Sequence, residues 1–399
     1  MTDGVRRRQL LKGAGAAATL VTTGLAGCTG GSGDGGDGGT TTGSGDGGSD
    51  TYNIGFQVGG LGNSWFTALA TAAEWYAEDN GMNINIGDGE LNPTRQVTVA
   101  RNLINSDIDA LVVNPFDSEA MADPVEEAAS QGIPTFSVDS VATSPELKQY
   151  TAFGNYSAGK RAGENAVRQL EEQNGAKEGK VIEVMIEQSA KLGVARHEGT
   201  VAAIDQYPDV EFADQIVTNN TREEASTKVF NSLQRNDADA FVCHAVTVGN
   251  GTLNALDRAD MKVPKGEDGH KVISQIDAGP STLEAINNGY VGVAIDQPVH
   301  FYGPITLHYI KKYLDAGEDD SVLPGVGETV GEDAFTLESE TAQSETGQDI
   351  WSENVWAPAD VEATEAVEDV PWFHTSSVRV TQENVDAPYL WGNWIKDVA

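Results

Sequence analysis

The sequence predicts an α/β protein built from two doubly wound, parallel-sheet domains. Three observations carry that prediction. Short apolar runs alternate with helical periodicities from Tyr52 to about residue 317. Gly or Pro punctuates most of the junctions, where a chain leaves one regular element for the next. The alternation then runs through a second set, in a chain whose 399 residues are too many for one small core. Strands alternating with helices of this length pair in parallel through right-handed crossovers.

In the first half the strand-like runs are YNIGFQV, MNINIG, ALVVNP and TFSVDS, and the spacing predicts helices over 65–79, 93–105 and 118–131. The second half gives strands KVIEVMI, VEFADQIV, AFVCHA, KVISQIDA and GVAIDQ. Its helices are predicted over 194–206, 222–235, 248–259, 281–288 and 299–315. Near residue 320 the rhythm stops. Acidic, Gly- and Ser-containing sequence follows, then an aromatic tail, VPWFHTSSVRVTQENVDAPYLWGNW, which the periodicity does not place.

The first fifty residues read as address and tether. Arg6, Arg7 and Arg8 precede Gln9-Leu10-Leu11-Lys12 and an apolar stretch to Gly27. That is a charged segment plus an apolar segment too short for an ordinary membrane span. RRQLLK resembles a twin-arginine (Tat) export signal, and Leu25-Ala26-Gly27-Cys28 looks like a lipobox, which implies lipidation of Cys28. Residues 28–50 hold that cysteine and then only Gly, Asp, Ser and Thr, a flexible linker unable to bury apolar surface. The implied product is a soluble body on a lipid leash outside the cell membrane.

Lys plus Arg number 25 against 61 Asp plus Glu, a formal net charge of −36. Such a surface excludes nucleic acid as a partner, because phosphate binding needs a basic face. It also repels itself unless salt screens it, so the acidity reads as adaptation to high salt. The two cysteines, Cys28 and Cys243, form no predicted disulfide, and metal-ligand spacing is absent.

One loop stands out: GLGNSWF, residues 60–66, at the carboxyl end of the first strand. Ligands of parallel α/β sheets sit beyond that edge. A dinucleotide fingerprint starting at Gly60 would need glycine where Trp65 stands, and no P-loop lysine follows. The loop is therefore not a phosphate cradle, and no cofactor is predicted. A flat indole beside an amide suits a sugar, whose C–H face packs on an aromatic plane and whose hydroxyls need polar partners. The alternative is that Trp65 and Phe66 simply begin the core face of the first helix. Other polar residues fall at equivalent strand ends: Asp139, His244, Asp277 and Gln297, with Arg196 at a helix start. Asp139 and Asp277 also stand where helix caps stand. As two carboxylates they admit a glycosidase reading, which lacks any accompanying nucleophile motif.

From 52 to 317 the sequence resembles the ribose- and galactose-binding type of periplasmic receptor that serves ABC importers, type I periplasmic binding proteins. The resemblance rests on Asn63, Trp65 and Phe66, on Asn114-Pro115-Phe116-Asp117-Ser118, on Asp139, on Arg196 before Gly199, on Asp277 in QIDA, and on Gln297. It departs at Ser140, where arginine is usual, at His244, where asparagine is usual, and at Asn220, which aligns near an opposing aromatic. The resemblance implies a monomeric, non-enzymatic receptor that closes on a monosaccharide or related small polyol by a three-segment hinge and docks on a membrane permease, with a receptor feeding a chemosensory protein as the alternative. Its crossings are expected near Gly154, Asp296 and residues 320–330. The implied N-terminal lobe is 51–154 plus 297–325. The implied C-terminal lobe is 155–296 plus part of 326–399. The ligand set so implied is Asn63, Trp65, Phe66, Asp139, Arg196, Asn220, His244, Asp277 and Gln297.

Overall fold

The structure is a computed structural model that describes residues 51–187, 191–364, 366–367 and 369–398. Arg6 to Arg8, Cys28 and the linker lie outside the described residues.

The alternating pattern produces two sheets. In the first, β1 (Asn53–Val58), β2 (Asn83–Asp88), β3 (Ala110–Val113), β4 (Thr135–Val138) and β5 (Leu147–Phe153) pair in parallel in the spatial order β5-β4-β3-β1-β2. The helices α1 (Ser64–Asp79), α2 (Pro93–Ile104) and α3 (Ala122–Ser130) connect β1 to β4. In the second sheet, β6 (Gly179–Met185), β7 (Val210–Val217), β8 (Ala240–Cys243), β9 (Val272–Ile276) and β10 (Val293–Asp296) run in the parallel order β10-β9-β8-β6-β7. Between and beside them lie α4 (Asn155–Asn174), α5 (Lys191–Ile204), α6 (Arg222–Leu233), α7 (Val246–Arg258) and α8 (Pro280–Asn287). These strands are apolar almost throughout because both faces are covered: β3, β4, β8, β9 and β10 are buried at every position.

Between residues 52 and 317 two elements went unread in the sequence, β5 and α4. LKQYTAF mixes polar and apolar residues, and α4 carries Gly159 and Gly163 in a polar-rich helix. Both glycines are packing positions. A Cβ on Gly159 would lie 2.0 Å from the Arg196 carbonyl oxygen, and one on Gly199 would lie 2.0 Å from that of Tyr156. The absent side chains let α4 and α5 touch backbone to backbone.

The chain crosses between lobes three times. The first crossing is at Gly154, between β5 and α4. The second is at Gln297 and Pro298, between β10 and α9 (Val299–Asp315). The third falls at Ser376 and Ser377, not at 320–330 as expected. The reason is that the tail keeps building the first lobe well past residue 325. There β11 (Thr329–Val330), β12 (Ala359–Ala363) and β13 (Pro371–Thr375) extend the first sheet to eight strands, with β13 parallel to β5, β12 antiparallel to β13 and β11 antiparallel to β12. Only then does β14 (Val378–Val380) join the second sheet, antiparallel to β10. Two short helices, α10 (Glu340–Thr346) and α11 (Trp391–Val398), complete the tail.

Candidate functional site

Parallel pairing within each lobe puts the carboxyl ends of the strands on one edge, and the hinge sets the two edges against each other. In the first lobe, Asn114 follows β3 and is fully buried. Its Oδ1 accepts from the Gly59 amide at 3.0 Å, and its Nδ2 donates to the Val138 carbonyl at 3.1 Å and to Asp139 Oδ2 at 3.2 Å. Asn114 thereby fixes the loop after β1 relative to Asp139. Asp139 turns out of β4 with φ of +61°, a left-handed conformation that Asp tolerates better than most residues. Asp277 makes the same turn out of β9 with φ of +70°.

In the second lobe, Arg196 is 4% exposed. Its Nε donates to Asn155 Oδ1 at 2.9 Å, its Nη1 donates to the His244 carbonyl at 2.6 Å, and Nη1 lies 3.8 Å from Asp277 Oδ2. The guanidinium also stands over the Phe153 ring of the first lobe, 5.5 Å from its centroid. Gln297, at the second crossing, donates to Asp277 Oδ1 at 2.6 Å. Tyr302 of α9 donates to Gln297 Oε1 at 3.3 Å and accepts from the Phe153 amide at 3.2 Å. Trp65 meets the Tyr302 ring edge-on at 6.4 Å. A continuous polar chain thus runs from Arg196 through Asp277 and Gln297 to Tyr302, with the half-buried indole of Trp65 at its end.

Burial disfavours the charged form of each carboxyl. Burial pushes Asp139 up to about 6, Arg196 and the Asn114 amide oppose that rise, and the Asp277 charge adds to it. Burial also raises Asp277, against Arg196 and Gln297. Asp296, at the hinge, is pushed up to about 8 by burial and then by Asp277. One buried guanidinium therefore opposes the effect of burial on two acids, Asp139 and Asp277. The Trp65 Nε1 donor is itself buried and has no partner.

Not every expected ligand residue joins this cluster. Asn63 caps α1, its Oδ1 accepting from the Trp65 amide at 2.9 Å, so the residue aims the indole. Phe66 packs on Trp65 at 5.0 Å and Phe116 at 5.5 Å, beneath the loop: a Cβ on Gly59 would strike its ring. Asn220, left-handed at φ +58°, is bonded to Thr247 and Thr218. His244 contributes its carbonyl, while its imidazole is wholly buried behind Arg196 against Glu183, 3.0 Å away. Asn155, Tyr302 and Phe153 belong to the cluster and were missed. Asn155 and Phe153 fall in the stretch left unassigned, and Tyr302 reads as helix core.

The sequence profile of a family described as periplasmic binding protein domain matches residues 54–319. The chain belongs to this family. Among curated members, it is 32% identical over 111 residues to a ribose import binding protein of Bacillus subtilis, covering 28% of this chain and 36% of that one. The aligned stretch spans about a third of that relative. A xylitol-binding protein of Mycolicibacterium smegmatis is 25% identical over 286 residues, 71% of this chain and 75% of that protein. Among solved structures, an ABC transporter periplasmic solute binding protein from Actinobacillus succinogenes, with bound D-allose, shares the fold. Its TM-score is 0.64 at 19% identity, covering 84% of this chain and 99% of that one. In this periplasmic binding protein the matched region ends inside the first lobe, and residues from 320 onward lie beyond it.

Proposed function

We propose that the protein is an extracytoplasmic solute-binding lipoprotein that captures a monosaccharide or small polyol between its lobes and delivers it to an ABC permease. The observation that carries this reading is the facing arrangement of Trp65 and Asp139 in one lobe and Arg196 and Asp277 in the other, with Gln297 at the hinge between them. An indole face with charged and amide groups around it matches a ring that is apolar on its faces and hydroxylated at its edges. Relatives named for ribose and xylitol, and a fold relative holding D-allose, point to the same ligand class. Ligand bridging both lobes binds the closed arrangement better than the open one, so binding and hinge closure are linked. The ligand leaves chemically unchanged, and the receptor acts as a monomer. A lipid on Cys28 holds it at the outer face of the membrane.

A thermal-shift and calorimetric panel of D-ribose, D-xylose, D-galactose, D-allose and xylitol, run in molar salt to screen the acidic surface, tests the reading. At least one should raise the unfolding midpoint and titrate to a single site. No binding across the panel, or turnover of a sugar seen by NMR, refutes it.

A further inference from the structure

We infer that Glu183 and His244 are positioning residues for Arg196: a buried carboxylate inside the second lobe sets the geometry of the arginine that faces the ligand. The inference rests on the proposed sugar site and deepens it.

Glu183 sits in the middle of β6 with no exposed surface. A lone buried carboxylate is costly, and here the surroundings are built for it. His197 Nδ1 lies 2.9 Å from Glu183 Oε2, Gln215 Nε2 donates to the same oxygen at 3.0 Å, and His244 Nε2 lies 3.0 Å from Oε1. Three elements, α5, β7 and the end of β8, thus converge on one acceptor. With the Glu183 oxygens as acceptors, as the Gln215 donor shows for Oε2, this geometry assigns His197 the Nδ1–H tautomer and His244 the Nε2–H tautomer. The His244 Nδ1 is then the lone-pair nitrogen, and it is buried without a partner.

That tautomer matters because of what the same residue does on its other side. The His244 carbonyl is the acceptor that holds Arg196 Nη1 at 2.6 Å. A second link runs through Thr200, whose hydroxyl donates to the Arg196 carbonyl at 2.9 Å and stands 3.4 Å from His244 Nε2. Arg196 is therefore held at its backbone by Thr200 and at its guanidinium by the His244 carbonyl, and Glu183 fixes the imidazole of the residue that supplies that carbonyl. Neither Glu183 nor the imidazole reaches the cleft. Their effect on the ligand passes through the direction in which the remaining guanidinium N–H groups point, and fork geometry makes that direction decisive.

The test uses the full chain. Nitrogen-15 NMR of the imidazoles, without ligand, should find His244 in the Nε2–H form. The Nδ1–H form overturns the inference and leaves the sugar reading untouched. Glu183→Gln is then titrated with whichever of D-ribose, D-xylose, D-galactose, D-allose or xylitol binds wild type best. Its affinity should fall about tenfold, the loss of one well-aimed charged hydrogen bond. In an Arg196→Lys background, which keeps the charge but not the fork, the same substitution should cost less than about twofold, since effects acting through one residue do not add. An equal loss in both backgrounds refutes a role through Arg196. Should Glu183→Gln not fold, His244→Asn is carried through the same cycle, and the tautomer measurement stands on wild type alone. If no sugar in the panel binds, the function fails while the tautomer result still decides the clamp.

Discussion

Asp139 offers a prediction in which binding and stability must move in opposite directions with pH. Its carboxyl is held near about 6 rather than at the usual carboxylate value, chiefly by burial. On the proposed sugar site a ligand hydroxyl would donate to the ionised form, which makes the ionised protein the binding-competent one under that proposal. Its fraction is about one tenth at pH 5 and about nine tenths at pH 7, and apparent affinity scales with that fraction. Sugar affinity should therefore rise about tenfold from pH 5 to pH 8, with proton release on binding between those limits. The stability of the ligand-free protein runs the other way. A pKa raised in the folded state means that the stabilising contribution is present below the unfolded value and is lost as pH rises through about 6. Asp139→Asn removes the Asp139 share of both slopes, so affinity and stability should each vary less with pH than in wild type, the remainder coming from Asp277 and Asp296. Calorimetry at half-unit pH steps in two buffers of different ionisation enthalpy, beside thermal unfolding at the same steps, reads all four quantities. A wild-type affinity independent of pH, or an Asp139→Asn variant that keeps the wild-type slope, refutes the assignment of Asp139 as a ligand acceptor.

Trp65→Ala should weaken sugar binding about tenfold or more by removing the ring platform, with the unfolding midpoint little changed because the indole is half-buried; unchanged affinity in calorimetry counts against the platform. Arg196→Ala should strongly weaken or abolish sugar binding and move the Asp139 midpoint upward, because Arg196 is the largest influence opposing burial there; thermal unfolding of the ligand-free variant across the same pH steps detects the shift, and an unmoved midpoint contradicts it. Gly199→Ala should force α5 away from the Tyr156 carbonyl, costing about 1–3 kcal/mol in chemical denaturation and displacing Arg196 with its helix; a neutral variant would show that the contact relaxes freely. Asp296→Asn should flatten the fall in stability between about pH 4 and pH 8, the window over which a carboxyl raised to about 8 loses its stabilising protonated form. Difference unfolding curves against wild type check that sign.

The two-sheet architecture was legible because it depends on periodicity and punctuation, both of which the sequence displays. Every expected strand from Tyr52 to Gln297 forms, and each lies within a residue or two of its predicted span. Legibility failed where the local pattern was overridden by contacts from far away. β5 is polar on paper, but β4 covers one edge and β13, more than two hundred residues later, covers the other. α4 carries glycines that lower helix propensity, and they are there because α5 approaches their backbone. Strand-end position identified Asp277 and Gln297, and a helix start identified Arg196; the three do meet. It could not tell a side chain facing the cleft from one facing the core. At the residue after β8, the imidazole of His244 turns inward while the carbonyl does the work on Arg196. Asn63 shows the same ambiguity, since a cap and a ligand group begin from the same position.

The tail clarifies why an acidic extension folds at all. Residues 351, 356, 372, 391 and 394 are tryptophans, five of the seven in the chain. Trp351 Nε1 donates to the His300 carbonyl at 3.1 Å, Trp372 Nε1 to that of Ala152 at 3.0 Å, and Trp391 Nε1 to Asp296 Oδ1 at 3.1 Å. These acceptors flank the first two lobe crossings. Trp394 packs on Trp75 at 5.4 Å and on His300 at 5.8 Å, so α11 touches the first lobe while Trp391 touches the hinge acid. Large buried rings supply the apolar area that the surrounding Asp and Glu cannot, and their single donors select where the tail seats. A chain ending where the family match ends would lack both the second partner of Asp296 and the strand beside β5. The first two crossings between the sheets are therefore braced by the tail as much as by their own residues.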